Sequence, residues 1–246
     1  MSNIKLFCIP YAGGSAAIYN EWKSLLDVFV ELIPVELAGR GKRFNSPLYE
    51  SIHDAVQDIS EQIVPHIGKG MYAVWGHSMG GVIAYELSHF MLQQRHPLPI
   101  HSFFSGSTAP NLRKKDNPIH QLPEEQFLKE IKEMNGTPQE FFQNKELIDL
   151  YLPILRNDFM IVEQYKYEVK ADKLNTNFSI LYGSEESFKN EVKEWSLHTS
   201  NRCSFHEFQG GHFFLFDHIR QIASLINNTL VPYNSLRGEI RRRDLD

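Results

Sequence analysis

The stretch Trp75-Gly76-His77-Ser78-Met79-Gly80-Gly81 places a serine among glycines, directly after one apolar run and directly before another. Residues 71–75 read as a buried strand, and the apolar spacing that follows predicts a helix over 79–93. Ser78 therefore sits at a strand-to-helix turn in a G-x-S-x-G pentad, the pattern of a nucleophile elbow. Such a turn holds a hydroxyl in strained, exposed geometry. Gly76 and Gly80 let strand and helix approach without a clash. The helix adds electrophilic support, because its first N–H groups have no intrahelical partner and point toward developing negative charge.

Working outward, short apolar strands alternate with helical patterns. Residues 4–9 read as a strand, 16–30 as a helix, 32–37 as a strand and 52–66 as a helix, and a further strand at 100–105 follows the elbow. Ser51-Ile52-His53-Asp54 gives the second helix a capping-box-like start. This repetition predicts an α/β fold with a mainly parallel sheet and helices on both faces. From 110 to 170 no convincing strand appears. Phe127, Leu128, Ile131 and Met134 share one helical face, and Thr137-Pro138-Gln139-Glu140 combines an N-cap, a first-turn proline and a glutamate three residues on. Helical segments are expected around 144–152 and 158–167, separated by Pro153. An all-helical insert that leaves the sheet just after the nucleophile strand leaves it at the ligand-binding end, where it would act as a lid. Alternation resumes at 177–182, 189–198, 203–208 and 214–230. One domain over 1–233 is expected, and the polar tail 234–246 is expected to be disordered or an added remnant.

The 246 residues are 42% hydrophobic and 22% charged, ordinary for a single domain with a sizeable core. A net charge of −5 offers no basic surplus for gripping nucleic acid. No apolar run approaches the ~20 residues of a membrane span. Without a leader-like N-terminus, and with Cys8 and Cys203 as the only cysteines, the expectation is a cytoplasmic protein with reduced thiols packed as small core residues.

A serine needs a base within hydrogen-bond reach, and that base needs an acceptor to orient it. On this fold the chain order is serine, then acid, then histidine. Of eleven histidines, His212 in Gly210-Gly211-His212-Phe213-Phe214 alone stands between the last strand and the last helix. His77, inside the elbow, points away from Ser78 and is left a packing or orienting role, while His198, His206 and His218 read as structural. For the acid, the strand ending at Tyr182 runs into Gly183-Ser184-Glu185-Glu186; Glu186 is preferred and Glu185 is the alternative. The loop 106–109 after the preceding strand holds no carboxylate. The oxyanion is expected to meet the N–H of Met79 and an N–H from Ile9-Pro10-Tyr11-Ala12-Gly13-Gly14-Ser15, with Ala12 the best donor. That loop has neither a P-loop lysine nor G-x-G-x-x-G spacing.

With these residues in place, the chain resembles the type II thioesterases that accompany nonribosomal peptide and polyketide synthases. The resemblance runs from Leu6 to Leu230. It rests on Pro10-Tyr11-Ala12-Gly13-Gly14, Gly39-Arg40-Gly41 with Arg43, the elbow, Leu122-Pro123 with Phe127-Leu128, Gly136-Thr137-Pro138, Leu152-Pro153 with Leu155-Arg156-Asn157-Asp158, and the His212 motif. It implies an α/β-hydrolase fold, a Ser78–His212–acid triad, oxyanion donors at Ala12 and Met79, and a helical lid. Such enzymes usually carry aspartate where Glu186 stands. The implied substrate is an acyl or aminoacyl thioester on the phosphopantetheine arm of a carrier protein, with no cofactor or metal of the enzyme's own, and a monomer suffices. Esterase and acyltransferase activities share this machinery, and a non-enzymatic binding protein would have no need of it. Two basic clusters, Arg40-Lys42-Arg43 and Arg113-Lys114-Lys115, either face the carrier or are solvated surface charge.

Overall fold

A computed structural model describes residues 3–68, 70–112 and 118–243. Six strands, β1 (Ile4–Ile9), β2 (Val30–Pro34), β3 (Tyr72–His77), β4 (His101–Ser105), β5 (Asn177–Gly183) and β6 (Cys203–Phe208), form one sheet in the order β2-β1-β3-β4-β5-β6. Every neighbouring pair is parallel. Among the described residues six α-helices accompany them: α1 (Ile52–Ile67), α2 (Met79–Gln93), α3 (Glu124–Glu133), α4 (Lys145–Gln164), α5 (Phe214–Asp217) and α6 (Ile219–Arg243). No helix among the described residues is long and apolar enough to cross a membrane.

Strand alternation divides the core in two. Along β1, Ile4, Leu6 and Cys8 join a cluster with Tyr19, Trp22 and the α6 residues Ile222, Ile226 and Leu230. Phe7 and Ile9 point the other way, into a cluster with Ile52, Val56 and Ile59 of α1 and Val82, Ile83 and Leu87 of α2. Both faces are therefore covered, which is why the strands read as unbroken apolar runs. The chain goes from β1 outward to β2 and returns to β3 on β1's other side, so the sheet order reverses between β1 and β3. The loops leaving their C-terminal ends flank a topological switch point, the crevice where open α/β sheets bind ligands.

Several sequence expectations shift on contact with the structure. The helix expected over 16–30 is a 3₁₀ helix, Ala16–Ser24. Its buried residues Tyr19 and Trp22 are three apart and stack on one face of a three-residue turn. The edge strand runs Val30–Pro34 rather than 32–37; Pro34 stands opposite Cys8 and the Val35 N–H donates to the Cys8 carbonyl at 2.9 Å, so the proline's missing N–H faces the open edge and costs no ladder bond. Pro153 does not break the insert: α4 runs through it, capped at its start by Asn144, whose Oδ1 accepts from the Leu147 N–H at 3.2 Å. Burial of Ile154, Leu155, Asp158 and Ile161 holds the second half in place and outweighs one lost backbone bond. Thr137 caps nothing; residues 139–143 form a single 3₁₀ turn preceded by Pro138. Ser51 does cap α1, accepting from the Asp54 N–H at 3.1 Å. The final helix is divided at His218, and α6 spans Ile219–Arg243.

Among the described residues the insert between β4 and β5 contains no strand before Leu174. It carries a small core of its own, with Phe127, Ile131 and Leu155 at its centre. It reaches the C-terminal end of the sheet at two places. Gly136 lies so close to Phe213 that a Cβ there would come within 2.0 Å of the ring, and Leu155 packs on Gly13.

Candidate active site

Ser78 adopts φ 55° and ψ −114°, a left-handed conformation that costs a non-glycine residue about 1–3 kcal/mol. Glycines make the turn possible. A Cβ on Gly76 would lie 2.0 Å from the Gly80 carbonyl oxygen, so β3 and α2 meet backbone to backbone. A Cβ on Gly80 would lie 2.2 Å from the carbonyl oxygen of Ile9 and 2.7 Å from that of Pro10, which seats the α2 N-terminus on the loop leaving β1. The Ser78 N–H donates to the Ser105 carbonyl at 2.8 Å, tying the elbow to β4. Among the described residues neither the Met79 N–H nor the Ala12 N–H has an acceptor, so both are available to a ligand oxygen in the crevice.

On the far side, β5 and β6 deliver an acid and a base. Gly183 lets the carbonyls of Gly210 and Gly211 approach to 2.5 Å of where its Cβ would stand, so the two loops lie on each other. Ser184 Oγ accepts from the Gly210 N–H at 3.2 Å, and the Glu185 N–H donates to the Gly210 carbonyl at 3.0 Å. Gly210 itself turns at φ 114°. The result is a single carboxylate on the imidazole. Glu186 Oε1 lies 3.1 Å from His212 Nδ1, and Glu186 is only 8% exposed, whereas Glu185 faces solvent. With Nδ1 donating to Glu186, Nε2 is left as a proton acceptor. The extra methylene of glutamate, compared with the usual aspartate, still reaches. The Ser78 hydroxyl makes no hydrogen bond among the described residues.

His77 is fully buried beneath this pair. Its ring centroid is 5.2 Å from that of His212, its Nδ1 is 2.9 Å from Ser105 Oγ, and Gly106, at φ 54°, leaves room for the ring. Burial, with the nearby His212, drives its pKa well below the usual imidazole range, so it stays neutral and packs. Tyr11 and Phe213 wall the crevice with ring centroids 4.9 Å apart, and burial pushes the Tyr11 phenol up to about 12. Three other histidines make hydrogen bonds within the fold. His198 is held between Tyr85 Oη at 3.0 Å and Asn111 Oδ1 at 2.7 Å, His206 lies by Ser204, and His218 Nε2 meets the Gln209 carbonyl. Burial raises the Cys8 thiol well above its usual range and Cys203 to about 11, so neither is a ready thiolate.

The first basic cluster does not form a cationic face. Arg40 is 1% exposed and forks onto Asp158, with Nη1 at 2.6 Å from Oδ2 and Nη2 at 2.8 Å from Oδ1. Arg43 is spent on Asp58 through two bonds of 2.6 Å, leaving Lys42 as the exposed member. Desolvation would raise the Asp58 carboxyl, but bonds from Arg43 and Tyr49 outweigh it and hold the pKa below the ordinary value. The sequence treats these arginines as surface charge because their acids lie 118 and 15 positions away. The second cluster, Arg113-Lys114-Lys115, lies outside the described residues. The sequence assigns Asp158 no role beyond its place in the Leu155-Arg156-Asn157-Asp158 motif; its one further signal is a carboxylate among the apolar positions of α4's buried face.

The thioesterase domain family matches residues 4–230. The protein named linear gramicidin dehydrogenase LgrE, from Brevibacillus parabrevis, is 36% identical over 237 residues, 94% of this chain and 89% of its own. A dinucleotide-dependent dehydrogenase needs a G-x-G-x-x-G turn after its first strand, and Pro10-Tyr11-Ala12-Gly13-Gly14 does not supply one. Among solved structures, ClbQ from the colibactin nonribosomal peptide/polyketide synthase pathway superposes with a TM-score of 0.91 at 37% identity, covering 96% of this chain and 100% of its own. BorB, the type II thioesterase from the borrelidin biosynthetic cluster, superposes at 0.84 with 28% identity over 93% of each chain. The chain accordingly belongs to the thioesterase family, beside the type II thioesterases of nonribosomal peptide and polyketide pathways, and is a hydrolase that acts on thioesters.

Proposed function

We propose that this enzyme clears acyl or aminoacyl groups from the phosphopantetheine arm of carrier proteins through an acyl-enzyme on Ser78. His212 Nε2 takes the Ser78 proton as Oγ attacks the thioester carbonyl, and the oxygen that becomes negative meets the free N–H groups of Ala12 and Met79. Glu186 fixes the tautomer and steadies the imidazolium. Collapse of the tetrahedral intermediate breaks the C–S bond, and His212 returns the proton to the pantetheine thiolate. A water molecule, deprotonated by the same imidazole, then attacks the ester and frees the acid and Ser78. The pantetheine belongs to the substrate, and the reaction draws on no cofactor or metal of the enzyme.

The observation that carries this reading is a left-handed Ser78 with two N–H groups unpartnered among the described residues, and a Glu186–His212 pair whose imidazole lies 5.2 Å, ring to ring, from the His77 that precedes Ser78. The pathways that name ClbQ and BorB support a role beside a nonribosomal peptide or polyketide synthase, where releasing stalled groups keeps carriers in service. Such an enzyme works in the cytoplasm, as a monomer, on loaded peptidyl or acyl carrier proteins. The test is release of acetyl and aminoacyl groups from a loaded carrier protein by wild type and Ser78→Ala. Hydrolysis by wild type alone is expected, with a covalent acyl adduct on Ser78 in rapid-quench mass spectra; equal release by both proteins would overturn the mechanism.

A further inference from the structure

The most deeply buried charges among the described residues stand beside the loop after β1, with no hydrogen bond or ion pair to Ser78, Glu186 or His212. Arg40 and Asp158 are each 1% exposed. Burying a pair this completely costs heavily in desolvation, so its worth lies in what the geometry fixes. Besides the two bonds between them, Asp158 Oδ2 accepts from the Gly13 N–H at 2.7 Å, and Arg40 Nη1 donates to the Gly14 carbonyl at 3.0 Å. Arg40 Nε also donates to the Ala38 carbonyl at 3.2 Å. The pair therefore clamps the loop after β1 from both sides of Gly13, a residue turned to φ 78°. The Ala12–Gly13 peptide, whose N–H Asp158 holds, directly follows the peptide that carries the Ala12 N–H. Leu155, one turn before Asp158 on α4, closes the same contact: a Cβ on Gly13 would lie 2.3 Å from its Cδ2.

We propose that Arg40 and Asp158 are positioning residues for oxyanion binding, through which the lid helix α4 sets the direction of the Ala12 N–H. The inference rests on Ala12 being an oxyanion donor, as read above. Donor direction matters more to the tetrahedral oxyanion than to the planar thioester, so a slackened clamp lowers kcat and spares KM. It also assigns parts within α4: the half after Pro153, buried at Ile154, Leu155, Asp158 and Ile161, is fixed to the oxyanion loop and does not swing with the rest of the lid.

The test uses the full chain in two variants built to keep the interior charge balanced. Arg40→Met/Asp158→Leu removes both charges at similar volume, the kind of exchange that tends to preserve or raise stability. Arg40→Lys keeps the charge but loses the fork that holds Asp158 and the Gly14 carbonyl together. Hydrolysis of a loaded carrier protein, thermal melting and the affinity of an acyl trifluoromethyl ketone, whose hemiketal places an oxyanion in the hole, are measured for each. The double variant is expected to melt like wild type, to lose kcat about 10- to 100-fold with KM within about twofold, and to lose ketone affinity by a like factor. Arg40→Lys should fall between it and wild type. Either variant, once shown to be folded by its melt, decides: wild-type kcat and ketone affinity overturn the positioning role. Wild type that releases nothing, or a Ser78→Ala variant as active as wild type, would instead strike the functional reading itself.

Discussion

Two loops meet at this active site, and they are held by opposite means. The elbow is shaped by sterics between residues close in sequence: Gly76 against Gly80, Gly80 against Ile9 and Pro10, and a left-handed Ser78 between them. The loop after β1, proposed to bind the oxyanion, is held by Arg40 and by Asp158, 145 residues after Gly13. One side is specified by what is absent from side chains, the other by charge brought from afar. The elbow should fail abruptly when an atom is added; the clamp should loosen by degrees.

The largest effect belongs to the elbow. Gly76→Ala puts a methyl group 2.0 Å from the backbone oxygen of Gly80, where no flexible side chain can yield. We expect a loss of about 3 kcal/mol or more in urea unfolding, and turnover reduced to near background because the serine is displaced. A stable Gly76→Ala enzyme with ordinary activity would show that the elbow is not sterically fixed. Next comes the acid. Glu186→Gln should cost roughly 10³- to 10⁴-fold in kcat by disfavouring the imidazolium and the right tautomer, while Glu185→Gln, exposed and away from the ring nitrogen, should stay within about twofold. The reverse ranking would move the triad acid to Glu185.

The same contrast explains what could be read from the chain. The elbow, the α2 span Met79–Gln93 and the placement of His212 follow from neighbours in sequence, so periodicity and turn chemistry reached them. The strand ending at Gly183 dictates where the Glu185-Glu186 loop falls, but nothing in the sequence separates the two acids; the contact of Glu186 Oε1 with His212 Nδ1 at 3.1 Å is tertiary information. Arg40 and Arg43 were misread, since nothing nearby in sequence says that an arginine has a buried partner. Pro153 misled for a related reason: tertiary burial of α4 overrode a local breaker. Even the 3₁₀ character of residues 16–24 is a packing outcome, set by Tyr19 and Trp22 under the sheet.

Stability sharpens the clamp side next. Asp158→Ala leaves Arg40 charged and unpaired in the interior and should cost about 3–5 kcal/mol in chemical unfolding, whereas Arg40→Met/Asp158→Leu should lie within about 1–2 kcal/mol of wild type. A single variant as stable as the double would mean that water reaches the site and that the pair is not a sealed clamp.

The smallest effect separates histidines that pack from the one that reacts. Burial lowers His89, His101 and His198 to about 4, against an ordinary value near 6.5; Lys170 adds to it at His89, while Glu194 opposes it at His198. Between those limits the unfolded chain binds more protons than the folded one. Their neutral packing therefore favours the fold fully above about pH 6.5, and this contribution is lost as pH falls toward 4. Melting temperature should decline through that window. His89 offers the clean probe, since its buried Nε2 has no hydrogen-bond partner and its removal orphans nothing at that atom. His89→Leu should stay within about 1 kcal/mol of wild type at pH 7.5 and show a shallower decline between pH 6.5 and 4.5. Because His89 sits on α2 away from His212, kcat on a loaded carrier protein should be unmoved at pH 7.5. An acid slope as steep as that of wild type would show that His89 titrates normally in the folded protein, and that the boundary between packed and reactive imidazoles lies elsewhere.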